Sequence, residues 1–137
     1  NNDVLLIHKK TGLGKGKING PGGKIESNET PLDCAIRETM EEVCVKPLNI
    51  HCAGELFFQF VDGLTIQGYV FRADNLIGIP KETEEANPFW CSVDEIPFDH
   101  MWEDDVTWIP YLLSDQYFKG YYIFDDELML DAEVRIS

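Results

Sequence analysis

The order of apolar and polar positions divides the chain into short segments with different periods. Val4-Leu5-Leu6-Ile7 is a continuous apolar run and predicts a short buried strand. From Thr30 the spacing becomes helical: Leu32, Ala35, Ile36, Met40 and Val43 recur at i, i+3 and i+4 and predict one apolar stripe. Thr30 suits the N-cap, Pro31 the first helical position and Asp33 the third. Residues 50–60 and 64–73 are rich in aromatic and β-branched side chains, and Asp62-Gly63 between them is a hairpin signal. Phe89-Trp90-Cys91 predicts another strand, placed after an acidic loop. Residues 104–118 predict a second helix, interrupted by Pro110. Tyr121–Phe124 and Leu128–Ile136 predict a closing hairpin around Asp125-Asp126. Strands and helices mix without regular βαβ alternation. The expected class is α+β, an α/β/α sandwich with a mixed β-sheet between helices, in a single domain over residues 1–137.

Composition narrows the function classes. Hydrophobic residues make up 44% and charged residues 26%, ordinary globular values that exclude a disordered or collagen-like chain. No apolar run approaches the roughly 18 residues of a membrane span, and no signal peptide is visible at the start, which is Asn1. The net charge of −14 would on average repel a phosphate backbone, so a nucleic-acid coat or a membrane-surface binder is not expected. The charge is uneven. Residues 1–24 hold Lys9, Lys10, Lys15, Lys17 and Lys24 against Asp3 alone, whereas residues 81–105 hold nine acids against Lys81. A basic lip beside an acidic body suits a small anion held with a divalent metal; a solvated acidic surface is the plainer reading. Cys34, Cys44, Cys52 and Cys91 form no C-x-x-C pair and read as small buried thiols in a reducing compartment, the cytoplasm. His8, His51 and His100 have no partner at metal-ligand spacing, which argues against zinc.

The candidate chemistry lies in a glycine loop and the helix after it. Gly20, Gly22 and Gly23 allow the backbone to approach a ligand closely, and Lys24 follows directly. Glu38, Glu41 and Glu42 stand at i, i+3 and i+4, within one helical turn of each other. Clustered carboxylates suit a hard cation such as Mg²⁺, although a solvated acidic helix face would show the same spacing. The loop is not a Walker loop, because no Gly-Lys-Ser/Thr follows at the right spacing.

Gly23, five residues, Glu29, seven residues, Arg37-Glu38 and then Glu41-Glu42 resembles the Nudix box, G-x5-E-x7-R-E-U-x-E-E-x-G-U, with U apolar. Every charged position matches, as do the first glycine and the last apolar residue, Val45. Thr39 stands where the pattern has an apolar residue, and Cys44 where it has the glycine that ends the helix. A Cβ in a left-handed cap costs about 1–2 kcal/mol, so the helix end is expected to take a different route here. Asn19 to Lys24, Ile96-Pro97-Phe98 with Met101 to Asp105, and Phe118 to Tyr121 are similar to the MutT-like members that act on oxidised purine nucleoside triphosphates. The likeness covers nearly the whole chain. That family has a strand before the position of Val4, so the first strand is expected to be truncated.

The resemblance implies a Nudix fold and Mg²⁺-dependent hydrolysis, with Mn²⁺ as a substitute, of a triphosphate such as 8-oxo-dGTP to the monophosphate and pyrophosphate. It implies catalysis by Glu38, Glu41 and Glu42, with Glu38 the first choice of base, and metal binding by these three, by the backbone at Gly22 and Gly23, and by Glu85, with Glu84 as its rival. Implied substrate contacts are Lys9, Asn19, Pro21, Gly22, Gly23, Lys24, Trp102, Glu103, Asp104 and Asp105. Lys9 and Lys24 fall on the phosphate side, and Asn19, Trp102, Asp104 and Asp105 in the base pocket. Glu29 and Arg37 would be structural, a charge pair that fixes the loop against the helix. Residues 102–105 also read plainly as a helix start, with acids at the positive end of the dipole and a packed tryptophan. The expected partner is a small nucleotide, bound by a monomer, with neither nucleic acid nor membrane. Open alternatives are a Nudix enzyme for a nucleotide sugar, dinucleoside polyphosphate or RNA 5′ end, and a catalytically silent nucleotide-binding module. Which phosphorus is attacked is open as well.

Overall fold

The computed structural model describes residues 2–137, which divide into two compact units: the chain up to Ile50 with Ala73–Met101, and His51–Arg72 with Trp102–Ser137.

In the first unit the apolar run forms β1 (Asp3–Lys9), with Leu6 and Ile7 buried. Its neighbours are the two-residue β2 (Ile18–Asn19), which lies within the expected loop, and β5 (Ala86–Ser92). Both pairings are antiparallel, and β1 matches β5 from Asp3 opposite Ser92 to Lys9 opposite Ala86. Helix α1 (Pro31–Val43) begins as its sequence predicts, with the Thr30 hydroxyl accepting from Asp33 N at 3.1 Å. It ends differently from expectation. Cys44 takes the left-handed cap that the missing glycine would have taken, at φ 66° and ψ 26°, and its N–H donates to Met40 O. Partners for the last carbonyls offset the cost of a Cβ there. Lys81 N donates to Val43 O at 3.0 Å, and Thr83 Oγ1 donates to Glu42 O at 2.7 Å.

The expected apolar stripe of α1 is only partly buried. Leu32 and Met40 are exposed, whereas Cys34, Glu42 and Val43 are buried. Val43 packs with Ile7, Val45 and Ala86, flanked by Leu5 and Leu76. Of the four free thiols only Cys34 is buried; Cys91 is half-buried, and Cys44 and Cys52 are exposed.

The second unit is built on residues 51–60 and 65–72 of the two longer strands. β3 (Lys46–Phe60) and β4 (Thr65–Ile77) extend past the expected hairpin, and the turn between them is closed by Phe60 N to Leu64 O at 2.8 Å, with Gly63 at φ 99°. β6 (Phe118–Asp125) runs parallel to β3 and antiparallel to β7 (Leu128–Ile136), which gives a mixed sheet in the order β4-β3-β6-β7. The α+β class holds, but the strands form two sheets, because β1 spends both its edges on β2 and β5.

Helix α2 (Asp105–Leu113) is shorter than the expected 104–118. Pro110 supplies no N–H, and Asp115 at φ 56° turns the chain out of the helix. Phe118 then serves β6, where it faces Gly54; a Cβ on Gly54 would lie 2.5 Å from the Phe118 ring. Leu56, Phe118, Tyr122 and Phe124 form the core of this unit, with Trp102, Trp108, Tyr111 and Leu112 packed on it.

Candidate active site

In the first unit Arg37 organises the glycine loop and the start of the box. Its Nε donates to Glu29 Oε2 at 2.6 Å and its second terminal nitrogen to Glu29 Oε1 at 3.0 Å, a bidentate pair. The same nitrogen donates to Lys24 O at 3.1 Å, which ties the loop backbone to the helix. The other terminal nitrogen reaches Glu38 Oε2 at 3.1 Å and Glu41 Oε1 at 3.2 Å. Donation from Arg37, helped by the Glu26 N–H, holds the Glu29 carboxyl down at about 2. Arg37 is held above its usual range by the same hydrogen bonds.

Glu38 and Glu42 meet the glycines directly. The Glu38 carboxyl lies so close to Gly23 that a Cβ there would stand 2.3 Å from Cδ and 2.4 and 2.7 Å from the two oxygens. Glu42 is only 2% exposed. Its Oε1 accepts from Gly22 N at 2.9 Å and its Oε2 is 3.6 Å from Lys9 Nζ. Burial pushes the Glu42 carboxyl up, and the charges of Glu38 and Glu85 push the same way, against the Gly22 N–H and Lys9. Thr83 fastens the Glu85 segment to this helix: its hydroxyl donates to Glu42 O and accepts from Glu85 N at 3.2 Å.

Among the described residues no three acidic, histidine or cysteine side chains stand together as a metal-holding group. Arg37 holds Glu38 and Glu41, while Lys9 and Gly22 hold Glu42. Glu42, however, is a desolvated carboxylate under the added negative charges of Glu38 and Glu85, which Lys9 and the Gly22 N–H only partly offset, so the side chains near it offer carboxylate oxygens and an excess of negative charge. That chemistry fits a divalent ion. Glu41 is half exposed, and Gly23 O accepts from the Cys34 thiol at 3.6 Å. Lys9, expected on the phosphate side, is placed against Glu42, and the Lys24 side chain is exposed. Asn19 and Pro21 are half-buried in this unit.

The second unit holds the remaining candidates. Asp104 is 2% exposed and Asp105 8%. Asp104 Oδ2 accepts from Trp108 Nε1 at 2.9 Å. Burial pushes the Asp104 carboxyl up, against the hydrogen bonds from Trp108 and Asp105. Trp102 meets Phe124 edge-on at 5.8 Å, and Trp108 stacks on Phe118 at 5.4 Å. Glu103 has a backbone role, accepting from Met129 N at 2.5 Å. Burial pushes the Tyr122 hydroxyl up to about 12, with Asp104 and Asp105 adding to the shift. Sequence reasoning missed Trp108, Thr107 and Tyr122; the i, i+4 spacing from Asp104 to Trp108 was the available signal for the first.

Glycine loop, carboxylate helix and α+β fold define a class. The sequence model of the NUDIX domain matches residues 1–112, and the chain belongs to the Nudix family of hydrolases. It is 42% identical over 122 residues to the oxidized purine nucleoside triphosphate hydrolase of Danio rerio, covering 88% of this chain and 78% of that protein. To the protein of the same name from Mus musculus it is 41% identical over 125 residues, covering 90% and 80%. Among solved structures, a mutator MutT protein from Bacillus halodurans superposes with a TM-score of 0.86 at 25% identity, over 98% of this chain and 90% of that one. Nudix hydrolases generally use divalent metal cations. No helix among the described residues is long and apolar enough to cross a membrane.

Proposed function

We propose that this chain hydrolyses oxidised purine nucleoside triphosphates, such as 8-oxo-dGTP, to the nucleoside monophosphate and pyrophosphate, with Mg²⁺ as the cation and Mn²⁺ as a substitute. The observation that carries the substrate reading is the buried pair Asp104 and Asp105 beside Trp102 and Trp108. A protonated carboxyl donates and an ionised one accepts, so two adjacent carboxyls sharing a proton read a donor and an acceptor on one base edge. Asn19 is assigned to the base as well, through its amide.

On the phosphate side, Glu38, Glu42 and Glu85, with Glu41 and the backbone at Gly22 and Gly23, would hold the cation. The charge that Glu85 exerts on Glu42 favours Glu85 over Glu84. Bound there, a divalent cation would neutralise triphosphate charge and polarise the phosphorus–oxygen bonds. Glu38 takes a proton from the attacking water as the bond between the α- and β-phosphates breaks, which releases the nucleoside monophosphate and pyrophosphate. Lys9 and Lys24 attract the phosphates. Glu29 and Arg37 keep the glycine loop on the helix. The four free thiols support a reducing compartment, the cytoplasm, where the chain would act as a monomer.

The test is turnover with Mg²⁺ across 8-oxo-dGTP, dGTP, a nucleotide sugar, a dinucleoside polyphosphate and a capped RNA. The expected result is the highest kcat/KM for 8-oxo-dGTP, with pyrophosphate as co-product. Equal turnover of dGTP, or preference for another member of the panel, overturns the substrate reading.

A further inference from the structure

Asp104 occupies the N-cap of α2, where an aspartate ordinarily turns its carboxylate onto an N–H of the first turn. Here the side chain makes no cap bond, and its Oδ2 accepts from Trp108 instead. The Thr107 N–H goes to the Asp104 carbonyl oxygen at 2.9 Å. Thr107 Oγ1 lies 2.6 Å from that same carbonyl oxygen and 2.7 Å from the Tyr122 hydroxyl.

A proton count fixes the direction of this chain. A carbonyl only accepts, so Thr107 gives its one hydroxyl proton to Asp104, and Tyr122 must donate its own to Thr107. Tyr122 is 2% exposed and sits in the aromatic core of the sheet, so the chain is rooted in a rigid element. At the other end Trp108 is fixed by stacking on the fully buried Phe118. The Asp104 residue is thus gripped at its carbonyl by Thr107 and at its carboxyl by Trp108. Without the hydroxyl pair the Asp104 carbonyl keeps only the Thr107 N–H, and the residue is held less firmly against turning its carboxylate onto an N–H of the first turn.

We propose that Tyr122 and Thr107 are positioning residues, which hold Asp104 out of the helix cap so that its carboxyl serves the base. This rests on the oxidised-purine reading above. The measurements are kcat and KM for 8-oxo-dGTP and dGTP in wild type, Tyr122→Phe, Thr107→Val, the double variant and Thr107→Ser, with thermal melts beside them. Tyr122→Phe and Thr107→Val should each raise KM for 8-oxo-dGTP about tenfold, the scale of one lost buried hydrogen bond, with kcat and the KM for dGTP little changed. The double variant should fall no further than either single one, because both break the same chain. Thr107→Ser restores the hydroxyl and should restore the preference. Absence of a preference in wild type overturns both readings. A wild-type preference kept by the single variants, an equal KM rise for both nucleotides, or a Thr107→Ser that behaves like Thr107→Val overturns this one alone. Should Tyr122→Phe melt without a native transition, the Thr107 variants decide the matter by themselves.

Discussion

Replacing Gly23 by alanine separates the chemistry of the site from the stability of the fold. The added methyl carbon would stand 2.3 Å from Glu38 Cδ, whereas carbon atoms rest at about 3.5–4.0 Å. The Glu38 carboxyl must therefore retreat by roughly 1 Å, and it leaves its 3.1 Å contact with Arg37 as it goes. Gly23 is not among the glycines with positive φ, so alanine adds no backbone strain there. The obstructed group is the end of a flexible side chain, so folding should tolerate the change. Catalysis should not. A displacement near 1 Å at a reacting group costs on the order of 10²-fold in rate, about 2.7 kcal/mol of transition-state stabilisation. The assay is kcat/KM with Mg²⁺ beside a thermal melt, with Gly68→Ala as control, since a Cβ on Gly68 comes no nearer than 3.9 Å to Leu56. Gly23→Ala should lose activity at a nearly unchanged Tm, and Gly68→Ala should retain both. Near-normal turnover of Gly23→Ala would refute the assignment of Glu38 as the reacting carboxylate.

Three further outcomes follow from the same geometry. Glu42→Gln keeps an acceptor for the Gly22 N–H but removes the charge, so turnover should fall roughly 10²–10³-fold while the metal-free protein stays folded; near-normal turnover retires Glu42 from the site. Gly54→Ala drives a methyl group to 2.5 Å from the Phe118 ring, which is fully buried and cannot swing away, so stability should drop by roughly 1–3 kcal/mol in denaturant titrations, and an unchanged midpoint contradicts the packing. Glu29 is held at about 2 against an ordinary 4.5, so its contribution to stability is present above pH 4.5 and lost as the pH falls toward 2. Melts of wild type should therefore decline more steeply over that acid range than those of Glu29→Gln, and parallel curves speak against the pair.

The helix that carries the site was legible where local chemistry decides the outcome. Thr30 caps it, Pro31 opens it, and Asp62-Gly63 turns the hairpin as their side-chain and backbone preferences require. What period alone misplaced was burial. Spacing shows which side chains share a face of α1, not what lies over that face, so Leu32 and Met40 were assigned to the core that Glu42 in fact enters. Cys44 was expected to divert the helix end because its Cβ disfavours the left-handed cap; partners from residues 81 and 83, far along the chain, satisfy the neighbouring carbonyls. The second helix stops at Leu113, short of the polar run Ser114-Asp115-Gln116, and only the strand pairing reveals that the Phe118 ring belongs to the sheet. Candidate positions on the glycine loop and box helix could be read from their spacing, but the proton order through Tyr122, Thr107 and Asp104 could not, since it depends on residues from two elements.

Arg37 has a consequence for the order in which this protein is assembled. Glu29, Glu38 and Glu41 all share its guanidinium, and Glu42 has Lys9, so each box carboxylate already has a positive neighbour built into the chain. A zinc finger lacks such internal counter-ions and collapses when its ion is withdrawn. Here the resident cations already balance these carboxylates within the chain, so on the proposed assignment a divalent cation would enter a finished protein and take over Glu38 and Glu42 from them. Cation supply would then govern turnover far more than it governs folding.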